Sequence, residues 1–323
     1  MCTAPRIWCS FFGLVMWIAI YIYLCPDLLH YMDDAWSYKM DLTLVYYKPY
    51  DLWFPHKQVK LLLLYNELGL PHVKKKQVFG WSLEIIGLYV NPIDMTINMS
   101  DRSHNNLITT IQAFVDTSQS RRHPVIKWQR ILRWINWGLN AYPLVHPTLQ
   151  PAYTKITGKH ISCARLYLNW SVIQNFLWLA DTIEASEGIH ILNSIEWGHL
   201  DSNLVIYSDA SLTGLGFEIP LHHLGFCTST PSECLVTTIF YYEALAITSV
   251  VLWASGLSPK INHLLVYTNS LNCVNMFNTL STQEGYNDIL LFTVCILISL
   301  NISLCVFHIP GHDNTVADAC YVP

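Results

Sequence analysis

The 323 residues are 52% hydrophobic and only 13% charged, with 12 Trp and 18 Tyr, so an intrinsically disordered chain is excluded. Two or three packed domains are expected at this length. The net charge of -5 conceals an asymmetry: residues 1–73 carry 5 basic and 6 acidic side chains, residues 74–165 carry 12 and 4, and residues 166–323 carry 1 and 13. The middle segment can follow a polyanion; the last cannot do so unaided. Ten cysteines form no CxxC pair and read as buried thiols of a reducing compartment, not as a zinc site or a disulfide framework.

Residues 7–24 approach the length of a membrane helix, yet they turn β-branched and aromatic near Ile20 and stop at Cys25-Pro26-Asp27. From composition alone, a membrane span and a buried helix running into a strand are both open. Residues 28–38 (LLHYMDDAWSY) read as two strand arms around Asp33-Asp34. Residues 58–69 read as an amphipathic helix stopped by Gly69, and residues 74–98 alternate like a hairpin punctuated by Gly80, Gly87 and Asn91-Pro92. From 101 to 180 the pattern is helical, interrupted by the Pro-bearing run PLVHPTLQPAYTKITGKH. Beyond 203 come a strand (LVIYSDAS), a hairpin partner (213–219), a helix (238–254), a strand (LLVYTNS), a helix (286–300) and a last strand (SLCVFHIPG). That succession predicts a mixed α/β domain.

Two acidic constellations stand out. Asp33 and Asp34 cannot both be buried without a counter-charge; a divalent metal and a solvated turn are the two remedies. Asp209 lies mid-strand in YSDAS, followed by the glycine-rich TGLGFE, while Glu243 lies on a helix in YYEALAI. Asn269 lies on a second strand in VYTNS, and Asp318 closes HIPGHDNTVADA. Spread over 110 residues, these four can converge at one end of a mixed sheet.

With these motifs in this order, the chain resembles the reverse transcriptase and ribonuclease H segment of a retrotransposon polyprotein. Tyr31-Met32-Asp33-Asp34 matches the polymerase motif whose two Asp bind metal, and the apolar helix before it is similar to the preceding palm helix, which turns the reading of 7–24 away from the membrane. Residues 64–90 are similar to the end of the palm and its primer-grip hairpin, with Ile86-Gly87 at the glycine turn, and residues 128–159 to the thumb and connection helices. IYSDASLTGLGFEI and PGHDNTVADA resemble the ribonuclease H motifs, which makes Asp209, Glu243 and Asp318 metal ligands and His312 the mobile histidine that assists product release. Asn269 stands where the family has Asp, and an amide removes one full negative charge from a dication site.

The resemblance implies a fold of α+β and mixed α/β type. Residues 1–100 would be a partial palm, 101–200 thumb and connection helices, and 201–323 a ribonuclease H-like mixed five-stranded sheet, clipped at its C-terminus. It implies magnesium or manganese, weakly held, and a partner that is an RNA:DNA hybrid or other nucleic acid, at an intracellular location in cytoplasm or nucleus. The basic side chains expected on phosphates are Lys74, Lys75, Lys76, Arg121, Arg122, Lys127, Arg130 and Arg133, interleaved with Trp128 and Trp134. About 30 residues precede Asp33, too few for the fingers and the third polymerase carboxylate, so polymerisation is expected to be lost unless another chain supplies the fingers. A truncated or degenerate element product is thus expected, with hybrid hydrolysis as its residual chemistry. A non-catalytic nucleic-acid-binding remnant and a membrane-associated protein tethered through 7–24 are the two alternatives.

Overall fold

The computed structural model describes residues 3–32, 34–38, 43–118, 120–186, 188–190, 197–231, 238–257, 261–283 and 285–314. The chain divides into two compact units, Met1–Ser100 and Asp101–Pro323.

In the first unit, helix α1 (Thr3–Tyr21) buries Phe12, Val15, Met16 and Ala19, a stripe at helical spacing, against Leu28 and Leu64. Its other face leaves Ile7, Phe11, Leu14 and Trp17 exposed, so the helix is covered on one side only within its own unit. No helix among the described residues is long and apolar enough to cross a membrane.

Strands β1 (Leu28–Tyr31) and β2 (Asp34–Ser37) pair antiparallel with Tyr31 opposite Asp34, and Met32, just past β1, takes a left-handed φ of 56°. A second hairpin, β3 (Leu44–Tyr47) with β4 (Leu52–Pro55), turns through Lys48-Pro49-Tyr50 and leads into α2 (His56–Glu67). That helix stops where expected. Gly69 is left-handed, and its amide and that of Leu70 bond back to Asn66 and Tyr65, capping the last carbonyls. The stretch read as one hairpin is a three-stranded meander, β5 (Leu83–Ile85), β6 (Leu88–Asn91) and β7 (Thr96–Met99).

The second unit begins with helices α3 (Asp101–Val115), α4 (Val125–Gly138), α5 (Gln150–Ile156) and α6 (Trp170–Ala185). Short strands β8 (Arg122–Pro124) and β9 (Arg165–Tyr167) pair beside them, and a two-residue strand, β10 (Ile189–His190), follows. Their core is built on Trp128, 0% exposed and edge-on to Phe114 at 5.0 Å, with Ile111, Ile135 and Phe176.

A five-stranded mixed sheet follows, made of β11 (Leu204–Ala210), β12 (Gly214–Ile219), β13 (Leu224–Ser229), β14 (His263–Thr268) and β15 (Ser303–His308) in the order 13-12-11-14-15. β11 is antiparallel to β12 and parallel to β14, and β15 continues parallel. The number of strands and the mixture of parallel and antiparallel pairs are those expected above. Helices α7 (Ile239–Ser255), α8 (Leu271–Thr279) and α9 (Asn287–Leu300) connect its strands, and Ile247, Val250 and Leu290 bury Ile206, Leu264 and Val266. The helices and the sheet share one unit. Asn287 Nδ2 donates to the Pro147 carbonyl at 3.1 Å and His146 Nδ1 to that of Leu280 at 3.1 Å.

Candidate active site and nucleic-acid interface

The sheet places Asp209 on its central strand. Alternation along β11 sends Leu204 and Ile206 into the helix-covered core, and at the strand's carboxyl end Asp209 is 1% exposed. Helix α7 brings Glu243, 5% exposed, against it. The side chains of Glu243 and Asp209 are hydrogen-bonded to each other. Thr268 Oγ1 donates to Glu243 Oε2 at 3.4 Å, and the Ala210 amide donates to Asp209 Oδ1 at 2.9 Å.

Burial is the largest cause that pushes the Glu243 carboxyl up to about 8, followed by the charge on Asp209 and their shared hydrogen bond. Near neutral pH the pair therefore shares a proton. Two buried acids in contact form an arrangement that either a proton or a cation can hold.

Asn269 follows directly on Thr268. β11 and β14 pair in parallel as far as Tyr207 opposite Tyr267, and Asn269, expected on the strand, lies one residue past the end of β14, at the same end of the sheet as Asp209. It is half-buried, and a Cβ placed on Gly311 would sit 3.9 Å from its Nδ2, so the turn at 309–314 closes over it. That turn is anchored at both ends. The Ile309 amide bonds to the Thr268 carbonyl at 2.9 Å, and Asn314 Nδ2 to the Ser208 carbonyl at 3.2 Å. Between the anchors His312 projects, 81% exposed, with Nε2 3.4 Å from Asp313 Oδ2.

The structure thus assembles Asp209, Glu243 and Asn269 at one end of the sheet. Asp33 and Asp318 lie outside the described residues, and among the described residues no group of three or more His, Cys, Asp or Glu is placed to hold a metal ion. Asp34 is exposed on β2. Thr268 and Asn314 were not singled out from sequence. Their signals were proximity in the chain to Asn269 and to the HIPGHDN motif, which becomes informative only once the strands are registered.

The cations of the second unit lie on the surface of the helical layer. Lys127, Arg130 and Arg133 recur along α4 and are all exposed, with Arg121 and Arg122 on the neighbouring strand segment. Lys127 Nζ approaches the buried His123 ring at 3.4 Å, and Arg121 donates to the Tyr167 hydroxyl at 3.1 Å. No ion pair among the described residues engages these five side chains or Lys74, Lys75 and Lys76 of the first unit. Trp128 is core, whereas Trp134 and Trp137 are half-buried.

No protein-family model matches the chain, and no curated protein matches it. Among solved structures it is similar to the foamy viral protease-reverse transcriptase in complex with double-stranded DNA, at 12% identity over 94% of this chain and 49% of that one, with a TM-score of 0.39. It is also similar to the same viral enzyme in complex with an RNA/DNA hybrid (12% identity, 97% and 39% covered, TM-score 0.38). RNase H1 from the halophilic archaeon Halobacterium salinarum NRC-1 matches 36% of this chain with 92% of its own length, at 14% identity and a TM-score of 0.29. The chain spans about half the length of the viral proteins it matches. Likeness this distant establishes no activity and no ligand.

Proposed function

We propose that the chain binds RNA:DNA hybrids through the cations of its helical layer, and that Asp209, Glu243 and Asn269 are the remains of a metal-dependent phosphodiester-hydrolysing site of ribonuclease H type. The observation that carries this reading is the contact between two buried carboxylates, Asp209 and Glu243, at the end of the mixed sheet. The chain itself would be a degenerate retrotransposon reverse transcriptase and ribonuclease H product, its hydrolytic site weakened by the amide at Asn269.

The donor set fits a hard dication. Asp209 and Glu243 offer carboxylate oxygens and Asn269 a neutral carbonyl oxygen, the chemistry that magnesium or manganese takes, with Asp318 and the Asp33-Asp34 pair assigned by resemblance alone. When bound, the metal supplies Lewis-acid charge to the phosphate and a nucleophilic water at neutral pH. Asp209 holds its place through the Ala210 amide, and Glu243 must give up the proton it shares with Asp209 before it can serve as a ligand. The exposed His312, on its doubly anchored turn, is free to swing toward a departing strand. Lys127, Arg130 and Arg133 neutralise phosphates of the duplex without reading its sequence.

Cleavage of a labelled hybrid in magnesium and in manganese, by the parent and by a double Asp209→Asn, Glu243→Gln variant, tests this. Lost cleavage with retained binding supports the enzyme. Binding by both chains with cleavage by neither transfers the assignment to a non-catalytic nucleic-acid-binding remnant, a reading favoured by one observation, the amide at Asn269 in the ligand position.

A further inference from the structure

We infer that strand β13 is a self-pairing edge, through which the sheets of two copies of this chain join antiparallel about a two-fold axis at Cys227. The two edges of the sheet differ. On β15 the side chain of Asn278 donates to the Val306 carbonyl at 2.7 Å and accepts from the Val306 amide at 3.0 Å, so the chain covers part of that edge itself. At the other end of the order, β13 (LGFCTS) has β12 as its one partner strand among the described residues and is exposed at all six positions. It also lacks the devices that protect an edge. Its register with β12 runs unbroken from Leu224 to Ser229 without a bulge, and it holds no charged residue and no proline.

The ladder fixes which groups point outward. The Thr230 amide donates to the Thr213 carbonyl at 3.1 Å, and bonding sides alternate along an antiparallel strand, so Thr228, Phe226 and Leu224 exchange bonds with β12. The amides and carbonyls of Gly225, Cys227 and Ser229 therefore face away from the sheet, where the Ser229 carbonyl has a 3.5 Å contact from Thr228 Oγ1. One antiparallel register with a second β13 uses all three residues: Cys227 opposite Cys227, flanked by Gly225 opposite Ser229. That register gives about six interchain hydrogen bonds, two per facing pair. The side chains match it. Phe226 stacks on Phe217 at 4.9 Å and lies 5.5 Å from Trp253, which puts it on the face covered by α7. There each Phe226, 38% exposed, meets Thr228 of the second copy, an aromatic and β-branched pair of the kind that stabilises sheets. On the other face only Gly225, Cys227 and Ser229 meet, so nothing bulky or charged blocks the approach. Charge also selects the occupant. Residues 166–323 carry 1 basic and 13 acidic side chains and repel a polyanion, whereas residues 219–230 carry no Asp, Glu, Lys or Arg and suit an uncharged strand such as β13 itself.

Sedimentation velocity on the full chain, free of nucleic acid, tests the inference. One strand pair buries less than a standard interface, so the dissociation constant should lie at roughly 10–100 μM, with dimer appearing across that range. Cys227→Pro removes an outward amide and no bond to β12, while Cys227→Lys sets two cations face to face. Each should weaken the dimer by about tenfold or more, the scale of the two outward bonds lost per dimer. Cys227→Ser should keep it. Where the proline variant melts below the parent, the lysine variant alone is read. Affinity should hold or rise with salt, because screening relieves the repulsion between two acidic units. With Cys2, Cys9, Cys163, Cys234 and Cys320 changed to Ser, Cys227 is the one exposed cysteine left among the described residues. A short bis-maleimide should then join two chains, since facing Cα atoms of a hydrogen-bonded pair lie about 5.5 Å apart, and a further Cys227→Ser should abolish the product. A parent monomeric at about 100 μM, a dimer that salt disperses, a dimer unmoved by the substitutions, or a cross-link that survives loss of Cys227 overturns the inference. So does a monomeric parent that takes an extended peptide of another sequence onto this edge, which would make β13 a docking strand for a different protein.

Discussion

Glu243 gives the most direct physical test of the carboxylate pair, because its proton couples the site to stability. In the folded chain its carboxyl is raised from 4.5 to about 8, chiefly by burial and then by Asp209. Between those two values the folded protein holds a proton that the unfolded chain releases, so stability is fully present below about pH 4.5 and is lost as pH rises toward 8. At about 1.4 kcal/mol per pH unit the full swing is about 5 kcal/mol, and relaxation around a shared proton brings the expected loss to about 2–4 kcal/mol. Glu243→Gln keeps the shape and can still donate to Asp209, but it has no proton to lose. Denaturant unfolding of both proteins in chelator from pH 5 to 9 should give curves that converge at low pH and separate by about 2–4 kcal/mol at high pH, the variant being the more stable. Magnesium added at high pH should stabilise the parent, by about 2.7 kcal/mol at a hundredfold excess over its dissociation constant, and the variant less. Parallel pH curves for the two proteins would refute the reasoning, since they would mean that Glu243 is not held protonated by this site.

How much of this was legible in the sequence depends on which forces set each element. Asp209 and Glu243 could be placed because each interrupts a strong apolar pattern, of period two along LVIYSDA and helical along IFYYEALAI. Helix α8 has no clear signal in the sequence, because LNCVNMFNT is rich in poor helix formers. It is held from outside: Cys273, Met276 and Phe277 are buried on the sheet, and Asn278 exchanges two hydrogen bonds with the backbone of Val306 on edge strand β15, at 2.7 and 3.0 Å. Such pairing across 28 residues leaves no local signal. Strand β13 is exposed along its length, with Gly225 in place of an alternating apolar residue, so its only cue is the partner strand β12. The β3–β4 hairpin did carry a cue, since Pro49 and a left-handed Asp51 (φ 52°) punctuate alternating Val45, Tyr47, Leu52 and Phe54. At Asn269 the sequence supplied the chemistry and the fold supplied the neighbours, because its place at the same end of the sheet as Asp209 follows from the parallel pairing of β11 with β14.

Ile86→Asn should stabilise the first unit by about 0.5–1 kcal/mol in denaturant titrations: Ile86 (φ 53°) and Gly87 (φ 79°) form the hairpin turn in which a β-branched residue is strained and Asn-Gly is favoured. A loss of stability there would mean that the Ile86 side chain is held by contacts stronger than its strain. Trp128→Ala should cost about 3–5 kcal/mol in the same assay, and Trp128→Phe much less, because the buried indole N–H has no partner among the described residues whose loss would add to the cost. Arg130→Ala combined with Arg133→Ala should lower the salt slope of hybrid binding by about 1.8, and an unchanged slope would remove α4 from the interface. Asn269→Asp puts a third carboxylate at the same end of the sheet as Asp209 and next in the chain to the Thr268 that serves Glu243. Asn and Asp are nearly isosteric, so the strand should be undisturbed, and in chelator the variant should be less stable at high pH than the parent because like charges then crowd one end of the sheet. Magnesium should reverse that deficit, and hybrid cleavage should rise by about tenfold or more, each tenfold being worth about 1.4 kcal/mol of barrier. If the variant gains neither magnesium stabilisation nor cleavage, the missing charge at Asn269 is not what limits the site, and the binding-remnant reading takes its place.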